Sequence, residues 1–138
     1  MARQLFETLT QTFSSPPYIV PIIDIVTRET KLPKPIISKG KRKKTLLINL
    51  PKIKSGAING NTKNVKVKYL IHIRKLKRLG NQDRFFKLGK KFLTYERKNE
   101  INLKNMDKGI YSIRYQVVIS NSKKSETIKR SKRTLTEI

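Results

Sequence analysis

The chain has 138 residues, the length of a single domain, and carries 33 Lys plus Arg against 9 Asp plus Glu, for a net charge of +24. It holds no Cys and a single His, which excludes disulfides, thiolate metal sites and histidine-rich metal sites. So large a surplus of like charge repels itself in a compact state and is tolerated when a polyanion neutralises it, which directs attention to nucleic acid, an anionic membrane surface or an acidic partner.

The surplus is unevenly placed. Residues 1–30 carry Arg3 and Arg28 against Glu7, Asp24 and Glu29, a net −1, so residues 31–138 carry +25. Codon bias accounts for Lys over Arg but not for missing acids: from Thr30 to Gln82 there is no acidic residue and there are sixteen Lys or Arg. Proline divides the chain in the same way, with all six prolines within the first 51 residues. A central strand must donate the N–H that proline lacks, so the proline-free remainder suits a sheet.

In chain order, Leu5, Leu9 and Phe13, with Phe6 beside them, predict a short amphipathic helix over residues 3–13, stopped by Ser14-Ser15-Pro16-Pro17. A helix that short is marginal alone in water and needs a partner surface. Residues 18–27 read as an extended edge segment, since Pro21 argues against a central strand. Residues 1–30 thus form a near-neutral N-terminal arm. Residues 31–44 read as a basic linker, stiffened by Pro33 and Pro35 and ending in Lys39-Gly40-Lys41-Arg42-Lys43-Lys44.

Residues 45–130 read as a basic β-rich domain. Residues 45–50 predict a short strand, and residues 55–64, with two Gly and three Asn, a loop. Then Val65, Val67, Tyr69, Ile71 and Ile73 alternate with Lys66, Lys68, Leu70, His72 and Arg74, the pattern of a half-buried strand with a basic outer face. A turn follows at Leu79–Asp83. Residues 85–95 predict a strand with a bulge at Gly89, where the alternation loses phase. Ile101 and Leu103 alternate in a polar stretch, Asp107-Lys108-Gly109 turns the chain, and Tyr111, Ile113, Tyr115, Val117 and Ile119 mark another strand. Asn121-Ser122-Lys123-Lys124 closes a hairpin onto residues 126–129. Residues 131–138 read as a basic flexible tail.

Short strands at roughly ten-residue spacing predict a mainly β fold, a small antiparallel β-sandwich or barrel of immunoglobulin-like or jelly-roll-like type, with the N-terminal helix and a basic extended arm. Residues 103–113 resemble the corner before a late strand in immunoglobulin-like sandwiches. That resemblance implies that Tyr111 bonds back to the preceding turn.

Two basic groups are candidate binding residues. Lys39, Lys41, Arg42, Lys43 and Lys44 would form a flexible arm that neutralises phosphates or serves as a nuclear address. Lys66, Lys68 and Arg74 would form a stripe along one strand, extended by Lys75, Lys77 and Arg78; edge protection alone needs only one or two lysines. Tyr69, Tyr111 and Tyr115 are expected in the core, leaving Phe85, Phe86 and Tyr95 as candidates for base stacking. His72 is expected to face solvent, with no acid or Ser near it in sequence to make it catalytic.

The scattered carboxylates and the missing phosphate-cradling loop offer no catalytic or metal site and imply no cofactor. The expectation is a non-enzymatic nucleic-acid-binding structural protein of viral capsid, nucleoprotein or ribosomal type. It would contact phosphates without sequence preference and favour RNA or single strands over duplex DNA. The alternative is a peripheral membrane-associated protein of viral matrix or movement type that inserts its N-terminal helix at an anionic surface. A homo-oligomer or larger assembly built through the N-terminal arm fits either reading. The expected location is intracellular, in a virion or in a ribonucleoprotein particle.

Overall fold

The computed structural model describes residues 19–79, 82–104 and 106–138, excepting the side chains of 77–79 and 82–89. The described residues form ten strands: β1 (Ile22–Val26), β2 (Ile36–Lys39), β3 (Thr45–Asn49), β4 (Lys52–Gly56), β5 (Lys66–Leu79), β6 (Gln82–Thr94), β7 (Lys98–Asn102), β8 (Ile110–Ser120), β9 (Ser125–Thr127) and β10 (Thr134–Glu137). The fold is mainly β, and no helix occurs among the described residues. The helix expected at 3–13 lies outside them.

The largest sheet is antiparallel and runs β10-β8-β5-β6, with β9 also paired to β8. Its two longest ladders join β5 to β8 and to β6. The alternation along β5 and β8 explains why they pair in this register. Val67, Tyr69, Ile71 and Ile73 fall on the same face as Tyr111, Ile113, Tyr115, Val117 and Ile119. Burying that face is the main apolar gain of the fold. A second antiparallel sheet runs β2-β3-β7, and Ile37, Leu46, Ile48 and Ile101 join the same hydrophobic cluster.

Buried tyrosines fasten the proline-bearing segments to the large sheet. Tyr115, with no exposed surface, donates its hydroxyl to the Pro33 carbonyl at 2.7 Å, and Tyr69 donates to the Pro51 carbonyl at 2.7 Å. The two rings meet edge to face with centroids 6.3 Å apart. Burial raises both phenol pKa values, so the hydroxyls stay protonated as donors. Thr134 adds a third such bond, to the Pro35 carbonyl at 2.6 Å.

Several expectations meet the structure directly. Tyr111 donates to the Asp107 carbonyl at 2.8 Å, as the corner resemblance implied. The Asn121 side chain accepts the Lys123 and Lys124 N–H groups at 2.9 and 2.7 Å and closes the β8–β9 hairpin. The register of β5 against β6 shifts between Arg74 and Leu76, opposite Gly89 and Phe85, beside the expected bulge. Gly80 and Asn81 of the expected turn lie outside the described residues.

Other expectations are corrected. The residues read as a basic linker contain β2, and residues 40–44 are a hairpin loop closed by Gly40 N–H to the Thr45 carbonyl at 3.0 Å, with Lys44 at φ 54°. Docking of Pro33 and Pro35 by hydroxyls of the large sheet is what orders this segment. Residues 134–137 of the supposed tail are strand β10, because Thr134 and Thr136 alternate into the core. The edge segment β1 pairs with β4 in parallel rather than antiparallel. Gly56 ends β4 in the close-packed interior rather than in a loop: a side chain there would meet Ile119 Cγ2 at 2.8 Å.

Tyr115→Phe keeps the ring but leaves the Pro33 carbonyl without its donor. It is expected to cost about 1–2 kcal/mol in denaturant unfolding. Because the rings touch, Tyr115→Phe combined with Tyr69→Phe is expected to depart from additivity; strict additivity with no loss in either single variant would contradict the fastening role.

Candidate functional site

The face of the large sheet turned away from the core carries the charge. By register it presents Lys66, Lys68, Leu70, His72 and Arg74 on β5, Lys91 and Leu93 on β6, and Ser112, Arg114, Gln116, Val118 and Ser120 on β8. None of these positions is acidic. His72 lies directly opposite Lys91 on one side and Arg114 on the other, so three strands contribute a continuous cross-strand row. Arg130, from the segment after β9, lines the same region.

These residues bound a cleft of about 480 Å³ with His72, Arg74, Lys90, Lys91, Gln116 and Arg130 in its walls. His72 is only 7 % exposed; the expectation that it faces solvent is corrected. Long cationic side chains from the neighbouring strands stand beside the shorter imidazole. Gln116 Nε2 donates to the Ile128 carbonyl at 3.1 Å, so its Oε1 turns to His72 Nε2 at 3.0 Å. Burial lowers the imidazole pKa first, the Gln116 bond opposes this, and Lys91, Arg114 and Arg130 lower it further. Arg114 is lowered in the same sense, by burial first and then by Arg130, Arg74 and Arg133.

Tyr95, 63 % exposed, holds its ring under Lys68 Nζ, 5.1 Å from the centroid. Leu93, 56 % exposed, is next along the same face. A second depression of about 720 Å³ is lined by Arg28, Lys31, Lys34, Lys129 and Lys132 around Leu32 and Pro33, with Glu29 as its one acid. Arg130 belongs to both concavities, so the basic track continues from the sheet face to the 28–34 segment.

The two expected basic groups are separate. Lys66, Lys68 and Arg74 share the outer face as expected. Lys75 points the other way, with Nζ 3.9 Å from Asp107 Oδ2, so it leaves the stripe. The side chains of Lys77, Arg78, Phe85 and Phe86 lie outside the described residues. Lys39, Lys41, Arg42, Lys43 and Lys44 are exposed on the β2–β3 hairpin, and Arg42 Nε is paired with Glu100 at 3.2 Å. Sequence reasoning missed Lys91, Arg114, Gln116 and Arg130. Arg114 and Gln116 sat on the polar side of an alternating strand, but nothing local says which strand they adjoin.

Among the described residues no cluster of His, Asp or Glu could hold a metal ion. No protein-family model matches this sequence, and no curated protein is significantly similar to it.

Because the folded His72 has a pKa below its ordinary value of 6.5, the neutral imidazole contributes stability above that value. This contribution is lost as the pH falls through the folded-state pKa. The melting temperature is therefore expected to drop between about pH 7.5 and pH 5, and to drop less in His72→Gln. Equal pH dependence in both proteins would contradict the burial of a neutral imidazole.

Proposed function

We propose that this protein binds nucleic acid through the outer face of its large sheet, as a non-enzymatic structural component of a nucleoprotein assembly of capsid or ribosomal type. The observation that carries the reading is the gathering of Lys91, Arg114, Arg74 and Arg130 around His72 at a cleft with no acid among its described lining residues. Lys91 and Arg114 flank the neutral His72 from the two neighbouring strands, and Arg74 and Arg130 join them at the same cleft, so several like charges are gathered close together and repel one another. A phosphate backbone relieves that repulsion and releases counterions as it docks. A solvated charge run would need no such alignment across three strands.

Single strands fit this face better than duplex. Tyr95 offers an exposed ring beside Lys68 on a sheet whose outer face also bears the cleft cations, and exposed rings with a basic surface are what single-strand binders rely on. No helix among the described residues is available to enter a major groove. Phosphate contacts by Lys and Arg give affinity without base readout, so little sequence preference is expected. For the fold itself, we read the two antiparallel sheets around one apolar cluster as an immunoglobulin-like sandwich, with the Tyr111–Asp107 bond as its corner.

The test is the salt dependence of binding to single-stranded RNA, duplex DNA and anionic liposomes. Affinity for RNA is expected to be highest and to fall linearly on a log–log plot. Replacing Lys68, Lys91 and Arg130 together by Gln is expected to reduce the slope by about 2, at ~0.7 per lost single-strand phosphate contact. Replacing Lys39, Lys41 and Lys43 is expected to leave it nearly unchanged. Liposome binding without RNA binding, or a slope that responds only to the hairpin lysines, would overturn the reading.

A further inference from the structure

We propose that the cleft over His72 is a discrete phosphate site, and that one phosphate of a bound strand enters it together with a proton taken up by the imidazole. The inference rests on the nucleic-acid reading above for its natural ligand, but the site itself is argued from geometry. Donors stand around the cleft from separate elements: Arg74 from β5, Lys91 from β6 and Arg130 from the segment after β9, with Arg114 of β8 adjoining. A tetrahedral oxyanion presents oxygens in several directions and is matched by donors converging from several sides, whereas a planar carboxylate is best met by one fork. The volume of about 480 Å³ leaves room for a phosphate and several waters, each taking about 30 Å³.

The proton follows from the Gln116 clamp. Gln116 donates Nε2–H to the Ile128 carbonyl, so the oxygen facing His72 can only accept. His72 Nε2 therefore carries the hydrogen, and the neutral ring lacks a proton at Nδ1. Proton uptake occurs at Nδ1 and turns the floor of the cleft from neutral to cationic. Among the described residues, the charged groups acting on His72 are cations: Lys91 from β6, Arg114 from β8 and Arg130 after β9, with Arg74 two residues along its own strand lining the same cleft. These oppose the imidazolium. An anion placed among them reverses the sign of the local field and favours it.

The sign is then fixed. The bound-state pKa lies above the free-state pKa, so binding is tightest below the free-state value. It weakens as the pH rises through the window between the two, and is flat above it.

His72 is the sole histidine, so its Cε1–H resonance can be followed in the full-length protein without assignment. It would be titrated by NMR alone, with sulfate as a non-titrating phosphate mimic, and with a short uridine oligonucleotide lacking terminal phosphates. The expected result is a rise in the His72 pKa with either ligand. Oligonucleotide affinity is expected to be about tenfold tighter near pH 5 than near pH 8, the change that one unit of pKa represents, and His72→Gln should lose that dependence while still binding. A His72 pKa that stays put at saturating oligonucleotide overturns the coupling even though nucleic acid binds. A rise with sulfate but no oligonucleotide binding upholds the phosphate site and overturns the nucleic-acid reading instead. No response to either ligand overturns the site.

Discussion

The rest of the molecule depends on the register that sets Lys91, His72 and Arg114 side by side on three strands. The imidazole between them is neutral, so no two like charges stand directly opposite, but Lys91 and Arg114 repel each other across it and both oppose its protonation. Here the ladder has no freedom to slip. A shift by one residue would carry Ile71, Ile73, Ile113 and Tyr115 to the solvent face and the cations into the core. The apolar inner face therefore fixes the unfavourable outer one, and the repulsion is stored in a surface that a polyanion can relieve.

The rest of the fold serves to hold that sheet in place. Tyr115, Tyr69 and Thr134 each give a hydroxyl proton to a carbonyl of Pro33, Pro51 or Pro35. The proline segments have fewer N–H groups to offer a ladder, yet their carbonyls are ready acceptors. This is how the smaller sheets are tied to the larger with few ladder bonds between them. The same arrangement brings the segment around Arg28–Lys34 next to residues 129–132 and extends the basic surface through Arg130. Folding energetics and the proposed binding surface are thus two consequences of one pattern of alternation.

Much of this pattern could be read in the chain. The period-2 runs at 65–74 and 111–119 gave two central strands and their buried faces, since an alternating apolar face is self-reporting. The likeness around Tyr111 anticipated its bond to Asp107, and the Asn121 turn was visible from its residues. The site was legible only on one strand. Lys66, Lys68 and Arg74 declare a shared face, but which residues stand across from them depends on a register that no local pattern states. The phase loss at Gly89 hid Lys91. Alternation also misled: His72 occupies an outward position and is buried all the same, because its neighbours across the sheet are longer than it is. The charge run at 39–44 drew attention by density, yet it folds into a hairpin loop in which Arg42 is already paired. Lys75 is next to the stripe in sequence and on the opposite face in space.

The outer sheet face, and not the denser basic hairpin, is the surface proposed to meet nucleic acid. Lysine acylation footprinting of the full chain, free and bound to single-stranded RNA, tests it most directly. Lys66, Lys68 and Lys91 are expected to be protected, with Lys41 and Lys43 as reactive as in the free protein. Protection of the hairpin lysines, with the sheet lysines left reactive, would contradict it.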